Sequence, residues 1–427
     1  MSLEADREGA ATLLRDRLAL LRGRAASAPV ARPAPAPARH VELPGGHEEA
    51  TPFGPCYVVE RRYPLDHRHG PRPLGALRDV PPALLADLGG VPQLAETPLD
   101  RVLWLDTETT GLAGGTGTYV FLVGLGFFTG PADGAPAFAV RQYFLREPRE
   151  ERALMHALGA ALDDFGVLVT FNGKSFDWPL LATRFVLQRL PHGRRAWPHL
   201  DLLHPARRVW KHRLPSCSLG SLEERVLGVR REVDVPGFLI PQIYFQYLRD
   251  GDPRPLLPVL AHNEADIVSL LALLIHLGHL AARPAEAAPP GADCYGLATL
   301  YAALGRAEES IAAYRAALAD PALSPPLRRA ARGALALALK RAARWEEAGA
   351  LWRESIKAEA RRRAPDPWAH EELAKYQEHV ARDYAAALAT VDAALTLLAL
   401  RGVATGRDAL LHRQARLRRK LTMANDE

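Results

Sequence analysis

The pattern of apolar and polar residues divides the chain into a region of alternating strands and helices, followed by a region of helices alone. Unbroken apolar runs, such as VLWL at 102–105 and YVFLVGLGFF at 119–128, are typical of strands that are covered on both faces. AVRQYFL at 139–145 predicts a third strand, and the short connections favour antiparallel neighbours.

A helical period then covers residues 150–164, and the compact apolar run VLVTF follows at 167–171. A helix between two strands implies a crossover, so this strand should run parallel to one that is already in the sheet. The predicted fold class is therefore α/β, with a mixed sheet flanked by helices. The glycine-rich turn GLAGGTGT is not a phosphate-binding loop, because a strand rather than a helix follows it.

The C-terminal region repeats itself, and proline-rich segments separate the predicted parts of the chain. Three similar helical stretches end at Leu318, Ile356 and Leu395, with spacings of 38 and 39 residues, which predicts stacked helical hairpins. The predicted organisation is an amphipathic helix (1–27), a Pro/Ala-rich linker (28–41), an α/β domain (42–282), a second linker (283–293) and an all-α helical-repeat domain (294–421).

The composition is that of a soluble globular protein, with 48% hydrophobic and 24% charged residues among 427. The N-terminus, MSLEADREGA, lacks the basic start and apolar middle of a signal peptide, so we expect a cytoplasmic protein. Three widely separated cysteines argue against a zinc site or a disulfide framework. A net charge of +5 permits an anionic partner without requiring one.

Acidic side chains follow two of the predicted strands, and another lies on a helix. Asp106 and Glu108 are two apart at the end of a strand and project to the same side; a plain polar turn is the alternative interpretation. Asp177 follows the strand at 167–171, where open α/β sheets bind ligands, although it could simply cap a helix. His262 and Asp266 are four apart and share one helical face; a hydrogen-bonded core histidine is the alternative.

Four carboxylates in one cleft would repel one another unless cations bind between them. Oxygen ligands favour Mg²⁺ or Mn²⁺, and two such ions about 3.5–4 Å apart can support hydrolysis of a phosphodiester. His262 is then positioned to accept the proton of the attacking water.

Several other polar residues carry weaker signals. Asn172 and Lys174 could contact substrate, and each could equally be a turn residue. Ser221 with Glu224 resembles a capping box, and Asp201 suits a turn or an outer support of the site. The pair His67 and His69 could be metal ligands but lacks a third partner nearby, which favours a surface or packing role. A basic cluster could meet a phosphate backbone or form a solvated helix face; it comprises Arg207, Arg208, Lys211 and Arg213.

The blocks LDTETTGL, FNGKSFDWPLL and HNEADIVSL resemble the three motifs of the DEDD 3′–5′ exonucleases, which have the ribonuclease-H-like fold. The series ETTGLAGGTGT, NGKSFDWPLL, SCSLGSLEERVLG and VDVPG further resembles the bacterial YprB-type ribonuclease-H-like proteins, several of which carry C-terminal helical repeats of TPR type. The resemblance is good over 102–275 and looser over 50–280.

The resemblance implies that metal ions assist the removal of nucleotides from a 3′ end of DNA or RNA. It implies a general-base role for His262 and substrate contacts from Thr109, Asn172 and Lys174. It implies metal binding by four acids: Asp106, Glu108, Asp177 and Asp266. His262 departs from the pattern, because a histidine in this family usually precedes the last aspartate by five residues, and here the separation is four. The alternatives are a structure-specific endonuclease with the same site, and a non-catalytic nucleic-acid-binding adaptor whose repeats bind a protein partner.

Overall fold

The structure is a computed structural model that describes residues 43–111, 117–130, 134–231, 234–363 and 365–425. The helix predicted over 1–27 and the linker predicted over 28–41 lie outside these residues.

A seven-stranded mixed sheet forms the centre of the first region, with strand order β1-β2-β5-β4-β3-β6-β7. The strands are β1 Gly46–Thr51, β2 Gly54–Pro64, β3 Val102–Thr109, β4 Val120–Phe128, β5 Ala137–Phe144, β6 Val167–Thr170 and β7 His199–Asp201. The apolar runs that predicted β3, β4 and β6 are buried, as expected for strands covered on both faces. The predicted α/β class is confirmed.

The register of the sheet determines which strand ends meet. Strand β3 is antiparallel to β4 and parallel to β6, with Val102 opposite Val167. Strand β7 is parallel to β6, with Thr170 opposite Asp201. The carboxyl ends of β3, β6 and β7 therefore lie side by side along one edge, as the crossover prediction requires.

Helices cover both faces of the sheet. They are α1 Pro82–Gly89, α2 Glu151–Leu162, α3 Asp177–Leu187, α4 Leu203–Trp210, α5 Leu219–Leu222, α6 Ile240–Asp250 and α7 Leu257–Ala282. Helix α5 continues into a π-helical turn, Glu223–Leu227. The predicted capping box is wrong: the N-cap is Ser218, whose hydroxyl accepts a hydrogen bond from the backbone N–H of Ser221 (3.4 Å).

Helix α7 lies against β3, β4 and β5 because β4 has glycines where it passes. A Cβ at Gly124 would lie 3.0 Å from Ile267 Cγ1 and closer still to Asn263 Oδ1, and a Cβ at Gly126 would lie 2.5 Å from Ile267 Cγ2. Two helical segments, Arg254–Ala282 and Tyr384–Arg401, are long and apolar enough to cross a membrane. In Arg254–Ala282, however, 78% of the most apolar 18 residues are buried inside the protein, as in the core helix of a globular domain.

The second region is helical throughout. Its helices are α8 Pro284–Ala287, α9 Gly291–Ala303, α10 Ala307–Ala319, α11 Pro325–Arg341, α12 Trp345–Glu359, α13 Trp368–His379, α14 Tyr384–Arg401 and α15 Arg407–Asn425. The second helices of three hairpins, α10, α12 and α14, begin with the same spacings of 38 and 39 residues as the sequence repeat. A left-handed residue precedes each of them: Gly305, Ala343 and Arg382.

The first hairpin packs directly on the α/β region. A Cβ at Gly296 in α9 would lie 2.6 Å from the Cα of Val209 in α4, so the two helix backbones are in close contact. The hydroxyl of Tyr301 donates to the carbonyl oxygen of Ala281 at the end of α7 (2.7 Å). One apolar core therefore continues from the sheet into the hairpins.

Candidate active site

The acids of β3 lie beneath the N-terminal half of α7. Asp106 and Glu108, two apart, are both partly exposed at the carboxyl end of the strand. Asn263 of α7 donates through Nδ2 to Asp106 Oδ2 (2.9 Å). Gln142 of β5 in turn donates to Asn263 Oδ1 (2.9 Å) and to the carbonyl oxygen of Leu260 (2.8 Å), which fixes the orientation of the Asn263 amide.

Glu108, His262 and Asp266 form a compact cluster. One ligand atom from each of the three lies within 4.8 Å of the others, a spacing that could hold a metal ion. His262 Nε2 is 3.4 Å from Asp266 Oδ2 and 3.9 Å from Glu108 Oε1. The helical spacing therefore does place His262 and Asp266 on the side of α7 that faces β3.

Asp177 is the first residue of α3 and is buried, with 4% of its surface exposed. It is not the N-cap, because Phe176 occupies that position. Instead, Thr107 of β3 donates a hydrogen bond to Asp177 Oδ1 (2.5 Å). This bond ties the start of α3 to the strand that carries Asp106 and Glu108.

The four acids influence one another electrostatically. Burial, together with the negative charges of the three other acids, raises the pKa of Asp106 well above its ordinary value. Burial, with the charges of Asp266 and Asp177, raises the pKa of Glu108 to about 8. Burial also raises the pKa of Asp177 to about 6, against the lowering effect of its bond from Thr107. The fold thus places several carboxyl groups close together, and a bound cation would stabilise their ionised forms.

Among the residues that the structure describes, Arg231 brings a positive charge to Asp266. Its guanidinium binds Asp266 and also makes two hydrogen bonds to the buried Glu223 (2.6 and 3.0 Å). Glu223 accepts a further bond from Ser269 Oγ (2.5 Å), and Ser269 Oγ is 2.7 Å from His69 Nε2. His69 is therefore a packing residue, as predicted. The partnership of Arg231 was missed, because its partners are 8 and 35 residues away along the chain.

Asp234 is a second residue that sequence reasoning missed. Its Oδ1 lies 2.6 Å from Nδ1 of His262, and Arg231 Nη1 lies 3.1 Å from the same nitrogen; because the carboxylate contact is the shorter, we assign the Nδ1 proton to it. In the neutral imidazole, Nε2 is then an acceptor and faces Glu108 and Asp266. The string VDVPG, which contains Asp234, was the available signal, but nothing in it indicates a histidine partner.

The residues predicted to contact substrate occupy two turns. Thr109 Oγ1 donates to the carbonyl oxygen of Gly111 (2.9 Å), so this side chain braces the turn after β3. Asn172 and Lys174 are exposed in the loop after β6. Their backbone N–H groups donate to the buried carboxylate of Asp201 (2.8 and 3.2 Å), which shows that Asp201 supports this loop.

The chain is similar to several known proteins. A family model described as the RNase_H superfamily matches residues 103–278. An uncharacterized protein of Bacillus subtilis (strain 168), YprB, is 34% identical over 346 residues, which are 80% of this chain and 80% of that protein. A family B DNA polymerase of the archaeon Pyrobaculum calidifontis aligns structurally with a TM-score of 0.34 and 20% identity, over 51% of this chain and only 29% of the polymerase chain.

Proposed function

Because the chain belongs to the ribonuclease-H-like family that includes the Bacillus subtilis protein YprB, we propose that it is a divalent-metal-dependent nuclease that removes nucleotides from 3′ ends. The observation that carries the proposal is the cluster of Glu108, His262 and Asp266 within 4.8 Å, with the charges of Asp106 and Asp177 acting on it. Repulsion between these carboxylates destabilises the fold and would not help a protein that only binds nucleic acid. The cluster therefore disfavours the adaptor alternative.

The donor set fits hard cations. Carboxylate oxygens from β3, α3 and α7 suit Mg²⁺ or Mn²⁺ better than a soft metal, and the proposed ligands are Asp106, Glu108, Asp177 and Asp266. Two such ions, when bound, would neutralise phosphate charge and stabilise the leaving oxygen of a phosphodiester. The chain itself orients these carboxylates through Asn263, Thr107 and Arg231.

His262 is the proposed general base. Its Nε2 faces the acids, and Asp234 holds the other nitrogen and stabilises the positive charge that forms when Nε2 accepts a proton. The separation of four residues between His262 and Asp266 does not prevent this role, because both side chains reach the same side of α7.

A cleavage assay with purified protein tests the proposal. End-labelled single-stranded DNA and RNA are incubated with Mg²⁺, Mn²⁺ or EDTA. Stepwise shortening from the 3′ end is expected with either metal and not with EDTA. Internal cuts would support the structure-specific endonuclease, and metal-independent binding without cleavage would support the adaptor.

Asp106→Asn and Asp177→Asn should each abolish cleavage, because each removes a carboxylate that no neighbouring group replaces. The matched control is Asp252→Asn, which removes a carboxylate paired with Arg254 on a loop before α7. Substantial turnover by either site variant, with the control fully active, would contradict the metal assignment.

The helical hairpins are proposed to be of TPR type and to bind a protein partner or guide the substrate, in a cytoplasmic protein. Their regular recurrence, with a left-handed residue before each second helix, supports a stacked repeat array.

A further inference from the structure

A second cleft opens beside the acids, at the carboxyl ends of β6 and β7. It has a volume of about 870 Å³. One wall is the loop after β6, with Asn172, and the other is α4, with Arg207 and Lys211. We term it the β6–α4 cleft.

The two cations of the β6–α4 cleft are exposed, and neither Arg207 nor Lys211 makes an ion pair with any residue that the structure describes. The other members of the predicted basic cluster differ from them. Arg213 Nε lies 2.8 Å from Asp293 Oδ1 and is therefore used in packing α9 against α4. Arg208 is exposed but does not line the cleft. Two positive charges thus line one cavity without an ion-pair partner in the described part of the chain.

A single buried carboxylate fixes both walls. Asp201 accepts hydrogen bonds from the backbone N–H groups of Asn172 (2.8 Å) and Lys174 (3.2 Å) in the loop. It also accepts one from the N–H of Leu203 (3.1 Å), at the start of α4. Asn172 adopts a left-handed conformation (φ 66°), which these bonds hold in place. The loop and the basic helix are therefore preorganised relative to each other.

Part of the cleft lining, which we term its floor, is apolar and lies beside Ser216 and Ser218. Leu214 is buried there, and Phe171, Cys217 and Leu219 are partly exposed and pack on the protein core. An aromatic and aliphatic floor beside a cationic wall is the arrangement that binds single-stranded nucleic acid, with bases on the floor and phosphates on the cations. A paired duplex could not place its bases on such a floor.

The cleft lies at the same edge of the sheet as the acids. Val169 of β6 is opposite both Trp104 of β3 and Leu200 of β7, so Asp201 is level with the residue before Asp106, two strand spacings or roughly 10 Å away. One strand of nucleic acid can therefore occupy both places. We propose that the β6–α4 cleft binds the unpaired nucleotides just upstream of the 3′ terminal one, with Arg207 and Lys211 on their phosphates. This inference rests on the proposed function for its direction along the strand, but not for the binding itself.

The test measures binding of a fluorescein-labelled 12-nucleotide single strand of DNA or RNA by anisotropy over a range of salt concentrations. The full chain carries Asp106→Asn to prevent turnover, and Mg²⁺ is present. In that background, Arg207→Ala with Lys211→Ala should weaken binding on the order of tenfold. The slope of log K against log salt should become shallower by about 1.4, since each phosphate contact to a single strand contributes about 0.7.

Arg208→Ala is the matched control for Arg207→Ala alone, because each removes one positive charge from the same helix and only Arg207 lines the cleft; the control should change affinity less than twofold. Lys211→Arg, which keeps the charge, should keep the affinity. A blunt duplex of equal length should be insensitive to the double substitution. Equal losses with the duplex, or with Arg208→Ala, would overturn the proposal in favour of a diffuse charge effect.

End-labelled cleavage by the wild-type protein separates this inference from the proposed function. If the wild type cleaves and the double variant binds normally, the cleft proposal fails and the nuclease stands. If the wild type never cleaves but the double variant loses salt-dependent binding, the nuclease proposal fails and the β6–α4 cleft stands as a single-strand site.

Discussion

His262 lies between one carboxylate that orients it and two that share its cleft. His262→Ala should lower kcat by roughly 10²–10⁴-fold, the usual contribution of a general base. Asp234→Asn keeps the size of the side chain but removes the charge that stabilises the imidazolium, so a loss of about 10-fold or more is expected. Single-turnover rates at saturating substrate measure both effects. A normal rate for His262→Ala would move the proton-accepting role to another group.

The acids also make stability depend on pH in an unusual direction. The folded-state pKa of Glu108 is about 8 and that of Asp177 about 6, both above the ordinary values near 4. Between about pH 4.5 and 8 these two carboxyl groups therefore bind more protons in the folded protein than in the unfolded chain. The stabilisation that Glu108 and Asp177 give to the folded protein consequently falls as pH rises. Urea unfolding in EDTA at pH 5 to 8 should show this decline.

The control for this measurement is Glu108→Gln, which cannot ionise and should flatten the decline. Mn²⁺ should raise the melting temperature more at pH 8 than at pH 6, because the ionised acids bind cations more tightly. An equal decline in wild type and variant would mean that other groups cause it.

At the scale of elements, the approach of α7 to β4 determines where the side chains of His262 and Asp266 lie. Gly124→Ala would force Asn263 and Ile267 away from the strand. Such overpacking typically costs about 1–3 kcal/mol of unfolding free energy, and it should also reduce cleavage by moving His262 and Asp266. Urea unfolding and cleavage rates check the two effects.

Gly237→Ala is the comparison for Gly124→Ala, since a Cβ at position 237 meets nothing within 4 Å. Unchanged cleavage in Gly124→Ala would show that α7 is not held in place by this contact.

The order of the elements could be predicted from sequence, because continuous apolar runs and a helical period mark β3, β4, β5, α2 and β6 directly. The strand ends, and hence the proximity of Asp106, Glu108 and Asp177, followed from the crossover rule. Asp234 could not be found in this way, because its role depends on a contact with His262, 28 residues away. The hydrogen bond from Asn263 to Asp106 likewise joins residues that are 157 positions apart in the chain.

In the helical region, too, only some features could be predicted from the sequence. Its repeat spacing was visible in sequence, and the structure has the second helices at that spacing. The left-handed residues Ala343 and Arg382 were not predicted, because neither type favours that conformation. Of the three equivalent residues, only Gly305 is of a type that favours the left-handed conformation, so only there did the sequence indicate it.

At the scale of the whole molecule, the α/β region and the first hairpin share a core, so they should unfold together. Gly296→Ala inserts a Cβ against the backbone of Val209, and it should lower the stability of the whole chain by about 1–3 kcal/mol. Calorimetry should show the α/β region and the first hairpin unfolding in one transition at a lower temperature, with no separate early one for the first hairpin.

Gly333→Ala is the matched control for Gly296→Ala, because its Cβ would meet only the ring of Trp368 at an ordinary 3.4 Å. It should leave the melting temperature unchanged or slightly higher, since alanine favours a helix more than glycine does. Separate wild-type transitions for the α/β region and the first hairpin would contradict a shared core.

Helix α7 begins beside the acids and ends where Tyr301 donates to the carbonyl oxygen of Ala281, so one continuous helix joins the acids to the first hairpin. Each residue of such a helix adds about 1.5 Å and turns it by about 100°. Inserting or deleting a single residue between 267 and 280 would rotate His262 and Asp266 away from β3, or twist the hairpins off α4. The number of residues in this stretch is therefore as tightly constrained as the packing of its side chains.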